Sequence, residues 1–318
     1  MSDRKVAFLG LGIMGAPMAA NLARAGVEVV AFNRTREKAD ALAAEHANVS
    51  VADTPAEASK LAGAAISMVP DVPEVEEVLL GPGGAVEGLG EGDLAIDMST
   101  ISPTASRSIG ERLGESRIAF LDSPVTGSRP KAEAGTLTIM AGGPEHAFER
   151  ARPLFEAMGD LVVHAGPQGH GSMIKLINNT LAAVNAAGLA EGLALARAAG
   201  LDTDRTLEVL ASGSGNSAMV ELKAQPMLEG EFDPLFKLEH MLKDVRYMIT
   251  EARALGVEPR VADTARGLYS QASENGLGER DFAAVIEAVG GAPQRGAGGA
   301  QPDPRGAQPD PRGAQSDR

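Results

Sequence analysis

Short apolar runs alternate with longer stretches of mixed polarity through the first half of the chain. Val6 to Leu9 is one such run, Val29 to Phe32 a second, and Ala64 to Val69 a third, closed by Pro70. Asp93 to Met98 reads as another and ends at Ser99-Thr100. Ile118 to Leu121 ends at Asp122, Thr136 to Ala141 is β-like, and Leu161 to Val163 closes the series. Short apolar runs bounded by Gly, Pro, Asp or Ser fit strands buried on both faces. Helical patterns lie between them, for example Pro103 to Leu113 and Pro144 to Met158. Strands alternating with helices predict an α/β fold with a doubly wound parallel sheet. Ligands in such sheets bind at the carboxyl ends of the strands. The loops after Leu9, Phe32, Val69, Met98 and Leu121 are therefore expected to line one cleft.

The pattern changes near residue 165. Gly166-Pro167-Gln168-Gly169 is a breaker, and residues 169–199 then read as one long helix. At 1.5 Å per residue it would span about 45 Å, enough to strut two domains. After Gly200, helical patterns follow at about 203–212, 217–223, 235–254, 260–274 and 281–290. No strand signal accompanies them, so the second domain is expected to be all-α.

The first turn carries the strongest motif. Val6 to Leu9 runs into Gly10-Leu11-Gly12-Ile13-Met14-Gly15, an Ala-rich helical pattern follows to Gly26, and the next strand stops at Asn33-Arg34-Thr35. This is a β-α-β unit with GxGxxG at its first turn, the dinucleotide-binding arrangement of a Rossmann-type domain. Gly10 permits the tight turn, Gly12 lets the backbone approach a pyrophosphate, and Gly15 lets the helix pack close to the strand. The helix N-terminus presents free N–H groups and positive dipole to the phosphates. At the end of the second strand an NAD site commonly has Asp or Glu for the ribose 2′-hydroxyl. Here Asn33 is followed by Arg34, whose guanidinium can take a 2′-phosphate in a fork. Thr35 and Arg36 can add donors. NADP(H) is expected over NAD(H), which stays possible.

The predicted organisation is then an NADP-binding Rossmann domain over 1–165, an all-α substrate and oligomerisation domain over 166–292, and a tail over 293–318. The tail repeats QPDPRGA at 301–307 and 308–314. Two prolines per repeat forbid a helix and nothing apolar larger than Ala or Pro is present, so disorder is expected.

Composition narrows the chemistry. The 318 residues are 44% hydrophobic but only 3% aromatic, so the cores must be mostly aliphatic. The net charge of −14 argues against nucleic-acid binding and means that an anionic substrate needs a local basic pocket. The absence of Cys excludes disulfides, thiolate catalysis and Cys-based metal sites, and no metal site is expected. No apolar run has the length to span a bilayer. The opening MSDRKVAFLG carries no secretory leader pattern, and a cytoplasmic protein is expected.

Three further segments carry candidate chemistry. In Gly169-His170-Gly171-Ser172-Met173-Ile174-Lys175-Leu176-Ile177-Asn178-Asn179, positions Gly171, Lys175 and Asn179 share one helical face. Gly171 is expected to leave room for a ligand. The helix dipole and partial burial are expected to depress the Lys175 pKa toward a value useful for proton transfer. Asn179 can orient the amine or a substrate oxygen. In Asp122-Ser123-Pro124-Val125-Thr126-Gly127-Ser128-Arg129, two hydroxyls and the backbone at Gly127 could hold a small carboxylate, with Arg129 and Lys131 adding positive charge. Phe236, His240 and Lys243 fall on one face of a later helix, and Asp244 could pair with a nearby base or cap a neighbouring helix.

Together these blocks resemble the β-hydroxyacid dehydrogenase family over about residues 4–290. GLGIMGAPMAANLARAG is similar to its cofactor signature and DSPVTGSRPKAEAGTL to its substrate-binding segment. GHGSMIKLINN is similar to its GxGxxxKxxxN catalytic helix, and FKLEHMLKD to its later FxLxHxxKD block. The resemblance implies that Lys175 is the general acid in carbonyl reduction, placed with the help of Asn179. It implies that Thr126, Gly127 and Ser128 hold a substrate carboxylate and that Thr100 sits by nicotinamide and substrate. Val69 and Pro70 would lie against the cofactor, with Lys243 near the nicotinamide ribose. Phe236 and Asp244 would shape the substrate side. Thr126 and Ser128 depart from the commonest family pattern, which has Ser and Gly there.

The implied activity is NADPH-dependent reduction of small aldehyde acids such as glyoxylate, succinic semialdehyde and tartronate semialdehyde, nearest the glyoxylate/succinic semialdehyde reductase branch. The implied partner is a small carboxylate-bearing aldehyde or hydroxy acid, with a homodimer or homotetramer expected. The alternatives are a 3-hydroxyisobutyrate dehydrogenase, an imine reductase, which in the resembling branch usually lacks the lysine, and a non-catalytic NADP-binding scaffold.

Overall fold

The computed structural model describes residues 5–289; the repeat tail expected over 293–318 lies outside the described residues. The first strands and helices are β1 (Lys5–Leu9), α1 (Gly15–Arg24), β2 (Glu28–Phe32), α2 (Arg36–Glu45), β3 (Val49–Val51), α3 (Pro55–Lys60), β4 (Ala64–Ser67), α4 (Val72–Leu80) and α5 (Ala85–Gly88). Next come β5 (Leu94–Asp97), α6 (Pro103–Glu115), β6 (Ala119–Asp122), β7 (Val125–Thr126), α7 (Ser128–Ala134), β8 (Leu137–Gly142), α8 (Glu145–Glu156) and β9 (Gly159–Gly166). They form one sheet in the order β3-β2-β1-β4-β5-β6-β8-β7, with β9 paired to β8. From β3 to β6 every pairing is parallel. Strands β1, β4, β5 and β6 are buried almost throughout, as sheets covered on both faces require. Chain order reverses beside β1, so the carboxyl ends of β1 and β4 open the switch-point cleft.

Two strands differ from the sequence expectation. β3 is a three-residue edge strand, too short to show a period. β7 is a two-residue strand that pairs antiparallel with β8 across the intervening α7 and puts Thr126 on a cavity beside the helical part.

The helical part consists of α9 (His170–Ala198), α10 (Thr203–Ser212), α11 (Ala218–Glu229), α12 (Leu238–Ala254), α13 (Arg260–Ala272) and α14 (Ile286–Val289), with a 3-10 turn over Phe282–Val285. The 29 residues of α9 span both halves of the molecule. Its first turns pack on the sheet, while Ala183, Ala186, Leu189, Ala190 and Leu193 enter the helical core. α11 runs past its expected end and through Pro226, because Met219, Val220, Ala224 and Met227 bury together and offset the lost backbone bond. α12 begins three residues later than expected. The Asp281 carboxylate takes the backbone N–H groups of Leu235 (3.1 Å) and Phe236 (3.2 Å), which holds that segment out of the helix. Among the described residues no helix is long and apolar enough to cross a membrane.

Candidate active site

The glycine turn is built by close approach. Gly10 has φ +104°, and a Cβ there would run into the Met68 carbonyl oxygen; a Cβ at Gly15 would run into the Gly10 carbonyl oxygen. Gly12 has nothing within 4 Å of such an atom, so its face is open. Among the described residues no side chain caps the N-terminus of α1; the Ala16 N–H donates to the Gly12 carbonyl (3.2 Å) and Pro17 has none, which leaves the Gly15 N–H and the turn before it to face an anion. Asn33 braces the turn: its Oδ1 accepts from the Leu11 N–H (2.8 Å) and its Nδ2 donates to the Thr35 carbonyl (2.8 Å). Leu11 is buried in the core, so only its backbone belongs to the turn, while Ile13 at the helix entrance is 49% exposed. Gly10, Gly12, Asn33, Arg34, Thr35, Val69 and Pro70 line one cavity of about 420 Å³. Lys38 lines it too, a cation that the sequence did not single out. Arg34 is exposed and, among the described residues, makes no ion pair. Arg36, read as a further donor, is engaged with Asp40 (3.5 Å) and Asp53.

A buried polar chain lies beneath the loops after β4 and β5. The Val69 N–H donates to Ser99 Oγ (3.0 Å), and the hydroxyls of Ser99 (2.7 Å) and Ser67 (2.8 Å) donate to Asp97 Oδ1. Burial pushes the Asp97 carboxyl up to about 6, against the hydrogen bonds that favour its charge. Lys243 clamps the same loops from the helical side. Its Nζ donates to the carbonyls of Thr100 (2.5 Å) and Pro70 (3.2 Å) and lies 3.7 Å from Asp71. Tyr247 adds a 2.6 Å bond to Asp71, and Glu251 accepts from the Thr104 N–H (3.1 Å). Thr100 is therefore fixed through its backbone.

Asp122 anchors the long helix. Its Oδ1 accepts from the Gly169 N–H (2.7 Å) and Gln168 Nε2 (2.8 Å), and its Oδ2 from the Ser172 N–H (2.6 Å). The helix N-terminus is thus occupied by a carboxylate from β6. Gly171 does not make room for a ligand: a Cβ there would strike the Met140 and Asp122 carbonyls and lie 2.9 Å from the Gly142 nitrogen. Its role is to let α9 lie against the strands.

Lys175 stands one turn further on and is 7% exposed. Desolvation lowers its pKa to about 8; Asp244 opposes that shift and the Lys243 charge reinforces it. The cause expected from sequence is corrected in part: burial dominates, and Asp122 already offsets the dipole at the helix start. Among the described residues the Lys175 ammonium makes no hydrogen bond, so it is available to a ligand. Asn179 donates from Nδ2 to Asp244 Oδ2 at 2.7 Å. Asp244, expected to shape the substrate side, is fully buried and lines neither the cavity at the glycine turn nor the one that holds Lys175; it reaches the site through Asn179.

Thr126, Gly127, Ser128, Lys131, Lys175, Asn178, Asn179 and Phe236 line a second cavity, of about 590 Å³, between the loop after β6 and the helical part. Gly127 has φ +136° and Ser128 φ +55°, the left-handed region that glycine enters freely. That backbone accounts for the glycine usual at position 128 in the resembling family. Asn178 Nδ2 lies 3.5 Å from Thr126 Oγ1 and 3.2 Å from Asn179 Oδ1, bridging loop and helix. Phe236 packs edge-on against His240 (5.9 Å) and Phe282 (6.2 Å). Arg129 instead pairs with Glu133 at 2.7 Å. Sequence reasoning assigned no role to Asn178, Asn185, Met219, Lys223 or Phe282. Asn178 could have been found, since it sits one residue before Asn179 on a helix already marked; the others meet only through the fold.

Residues 5–166 match the family described as the NAD binding domain of 6-phosphogluconate dehydrogenase. Residues 169–289 match that described as the NAD-binding domain of NADP-dependent 3-hydroxyisobutyrate dehydrogenase. Glyoxylate/succinic semialdehyde reductase 2 of Arabidopsis thaliana is 34% identical, over 92% of this chain and 81% of its own. The 2-hydroxy-3-oxopropionate reductase of Escherichia coli is 35% identical, over 90% of this chain and 97% of its own. The solved 3-hydroxyisobutyrate dehydrogenase of Mycobacterium tuberculosis superposes with a TM-score of 0.80 at 32% identity, over 90% of this chain and 98% of that one. The cleft, the lysine-bearing helix and these matches agree: the chain belongs to the β-hydroxyacid dehydrogenase family, NAD(P)-dependent oxidoreductases acting on CH–OH groups.

Proposed function

We propose that the protein is an NADPH-dependent reductase of small aldehyde acids, with Lys175 as general acid. One observation carries this: a lysine held near pKa 8 by burial shares a cavity with the Thr126-Gly127-Ser128 loop. The first cavity fits a dinucleotide, because Gly12 is open, no side chain caps the start of α1 and Arg34 makes no ion pair among the described residues. Gly12 and the Gly15 N–H would hold the pyrophosphate, and Arg34 with Lys38 the 2′-phosphate. When bound, NADPH supplies a hydride for the carbonyl carbon.

The residues of the chain do the rest. Thr126 and Ser128 hydroxyls, with Lys131, hold the substrate carboxylate and so fix which carbonyl face is presented. Lys175 donates a proton to the carbonyl oxygen as the alcohol forms, and takes it back in oxidation. Asn179, held by Asp244, orients the lysine or the oxygen. Phe236 and its aromatic neighbours keep water away.

Glyoxylate, succinic semialdehyde and tartronate semialdehyde are the proposed substrates, in keeping with the names of the relatives. The test is a panel of these three and methylmalonate semialdehyde, each with NADPH and NADH. The proposal expects efficient turnover of at least one of the first three with NADPH. Preferential turnover of methylmalonate semialdehyde, in either direction, favours the 3-hydroxyisobutyrate dehydrogenase alternative. Association as a homodimer or homotetramer through the helical part is proposed from exposed apolar residues such as Leu195 and Val209, and light scattering tests it.

A further inference from the structure

The cavity that holds Lys175 contains a second buried lysine that the proton transfer does not use. Lys223, on α11, is 5% exposed and lines that cavity. Its Nζ donates to Asp281 Oδ1 at 2.7 Å and lies 4.3 Å from the centroid of the Phe282 ring. Asp281 also accepts from the backbone N–H groups of Leu235 (3.1 Å), Phe236 (3.2 Å) and Ala283 (3.0 Å). The carboxylate is thus saturated, with its charge shared among three amides. The ammonium, among the described residues, spends one of its three N–H donors on a hydrogen bond. Donors left unmatched in a buried site are costly unless an acceptor arrives. The cavity is the place from which one can come.

The shape of the site points the same way. Lys175 and Asn185 both line the cavity. They stand ten residues apart on one helix, or about 15 Å at 1.5 Å per residue. A two-carbon acid at Thr126, Ser128 and Lys175 fills only one end of such a space. Lys131 and Lys223 are cations contributed by separate elements, α7 and α11, with the reactive lysine on a third, α9.

We propose that Lys223 recognises a second acidic group on the substrate. The preferred substrate class is then a 3-hydroxy acid, or its aldehyde, whose 2-substituent ends in a carboxylate. One carboxylate lies on the 126–128 loop and the other on the free donors of Lys223. Monocarboxylates turn over but leave Lys223 unused. This inference rests on Lys175 and the 126–128 loop acting as proposed above, and it specifies the substrate of that same site.

The test is steady-state oxidation with NADP+ of two alcohols that share one reacting head: 3-hydroxy-2-methylpropanoate and 2-(hydroxymethyl)succinate. They differ only in a methyl group against a CH2-carboxylate. The intact protein is expected to favour the diacid in kcat/KM by about tenfold or more, and Lys223→Gln to erase that ratio. Lys223→Arg, which keeps the cation, should restore part of it. Equal kcat/KM for the two alcohols in the intact protein overturns the inference without any variant. So does a Lys223→Gln variant that loses activity on both alike, since that is the behaviour of a mere staple between α11 and the 3-10 turn. If neither alcohol is oxidised although glyoxylate or succinic semialdehyde is reduced with NADPH, this inference is overturned and the reading of Lys175 and its loop stands. If none of these compounds turns over although NADP+ binds by fluorescence titration, that reading fails and this inference goes with it.

Discussion

Asn179 donates a 2.7 Å hydrogen bond to Asp244, which carries no exposed surface, and Asp244 in turn lies 3.3 Å from Lys243. One buried carboxylate thus connects Asn179, proposed to orient the reacting group, with the lysine that clamps the loops after β4 and β5. It also raises the pKa of Lys175, against the stronger effect of burial. Asp244→Asn keeps an acceptor for Asn179 but removes the charge. Lys175 must be protonated to reduce, so kcat/KM for reduction should fall as pH rises through about 8, and that for oxidation should rise. In Asp244→Asn both limbs should move to lower pH. Asp244→Leu, which also frees Asn179, should lose about a hundredfold in kcat/KM. Unshifted limbs in Asp244→Asn would remove Asp244 from the electrostatics of the site.

Two glycines on α9 should respond oppositely to the same change. Gly171→Ala places a methyl group against the backbone of β6 and β8 and should destabilise by about 1–3 kcal/mol. Gly188 has nothing within 4 Å of a would-be Cβ, and Gly188→Ala should stabilise by about 0.5–1 kcal/mol. Calorimetry on both variants checks the pair; equal shifts would mean that α9 does not lie against the strands as described.

Asp97 should give the protein a distinctive acid limb. Its folded pKa, about 6, lies above the ordinary 3.8, so between those values the folded state holds a proton that the unfolded state has lost. Stability from this group is therefore present at low pH and is lost as pH rises through 6, by roughly 3 kcal/mol. Asp97→Asn keeps an acceptor for Ser67 and Ser99 without a charge. Its stability relative to the parent, from urea unfolding, should increase between pH 4 and 7. A difference independent of pH would contradict the burial of that charge.

Arg34 lines the first cavity and makes no ion pair among the described residues. Arg34→Asp sets a carboxylate where a 2′-phosphate would lie, and the NADPH-to-NADH ratio of kcat/KM should fall by about a hundredfold or more. Competing cofactor titrations measure this directly. An unchanged ratio would place the 2′-phosphate elsewhere, on Lys38 for example.

The sequence made the fold and the candidate site legible where the signal was local. Gly10 to Thr35 could be read because strand, glycine turn and helix are consecutive. Lys175 and Asn179 could be read because they share one face of one helix. What stayed hidden depends on partners far along the chain. Asp122 caps a helix that begins 48 residues later, Gly171 is required by strands that come before it, and α12 starts late because Asp281 holds Leu235 and Phe236. Lys223 carried no signal of its own, because Asp281 and Phe282 meet it only through the fold. Periodicity carries no information about such contacts.

The central claim is that Lys175 supplies the proton, and Lys175→Ala tests it most directly. NADPH affinity, from fluorescence titration, should stay within about threefold of the parent, because the cofactor cavity does not include this residue. Single-turnover reduction of glyoxylate or succinic semialdehyde should slow by about 10²–10⁴-fold, the contribution of general acid catalysis. Near-normal reduction by Lys175→Ala with intact cofactor binding would contradict the account.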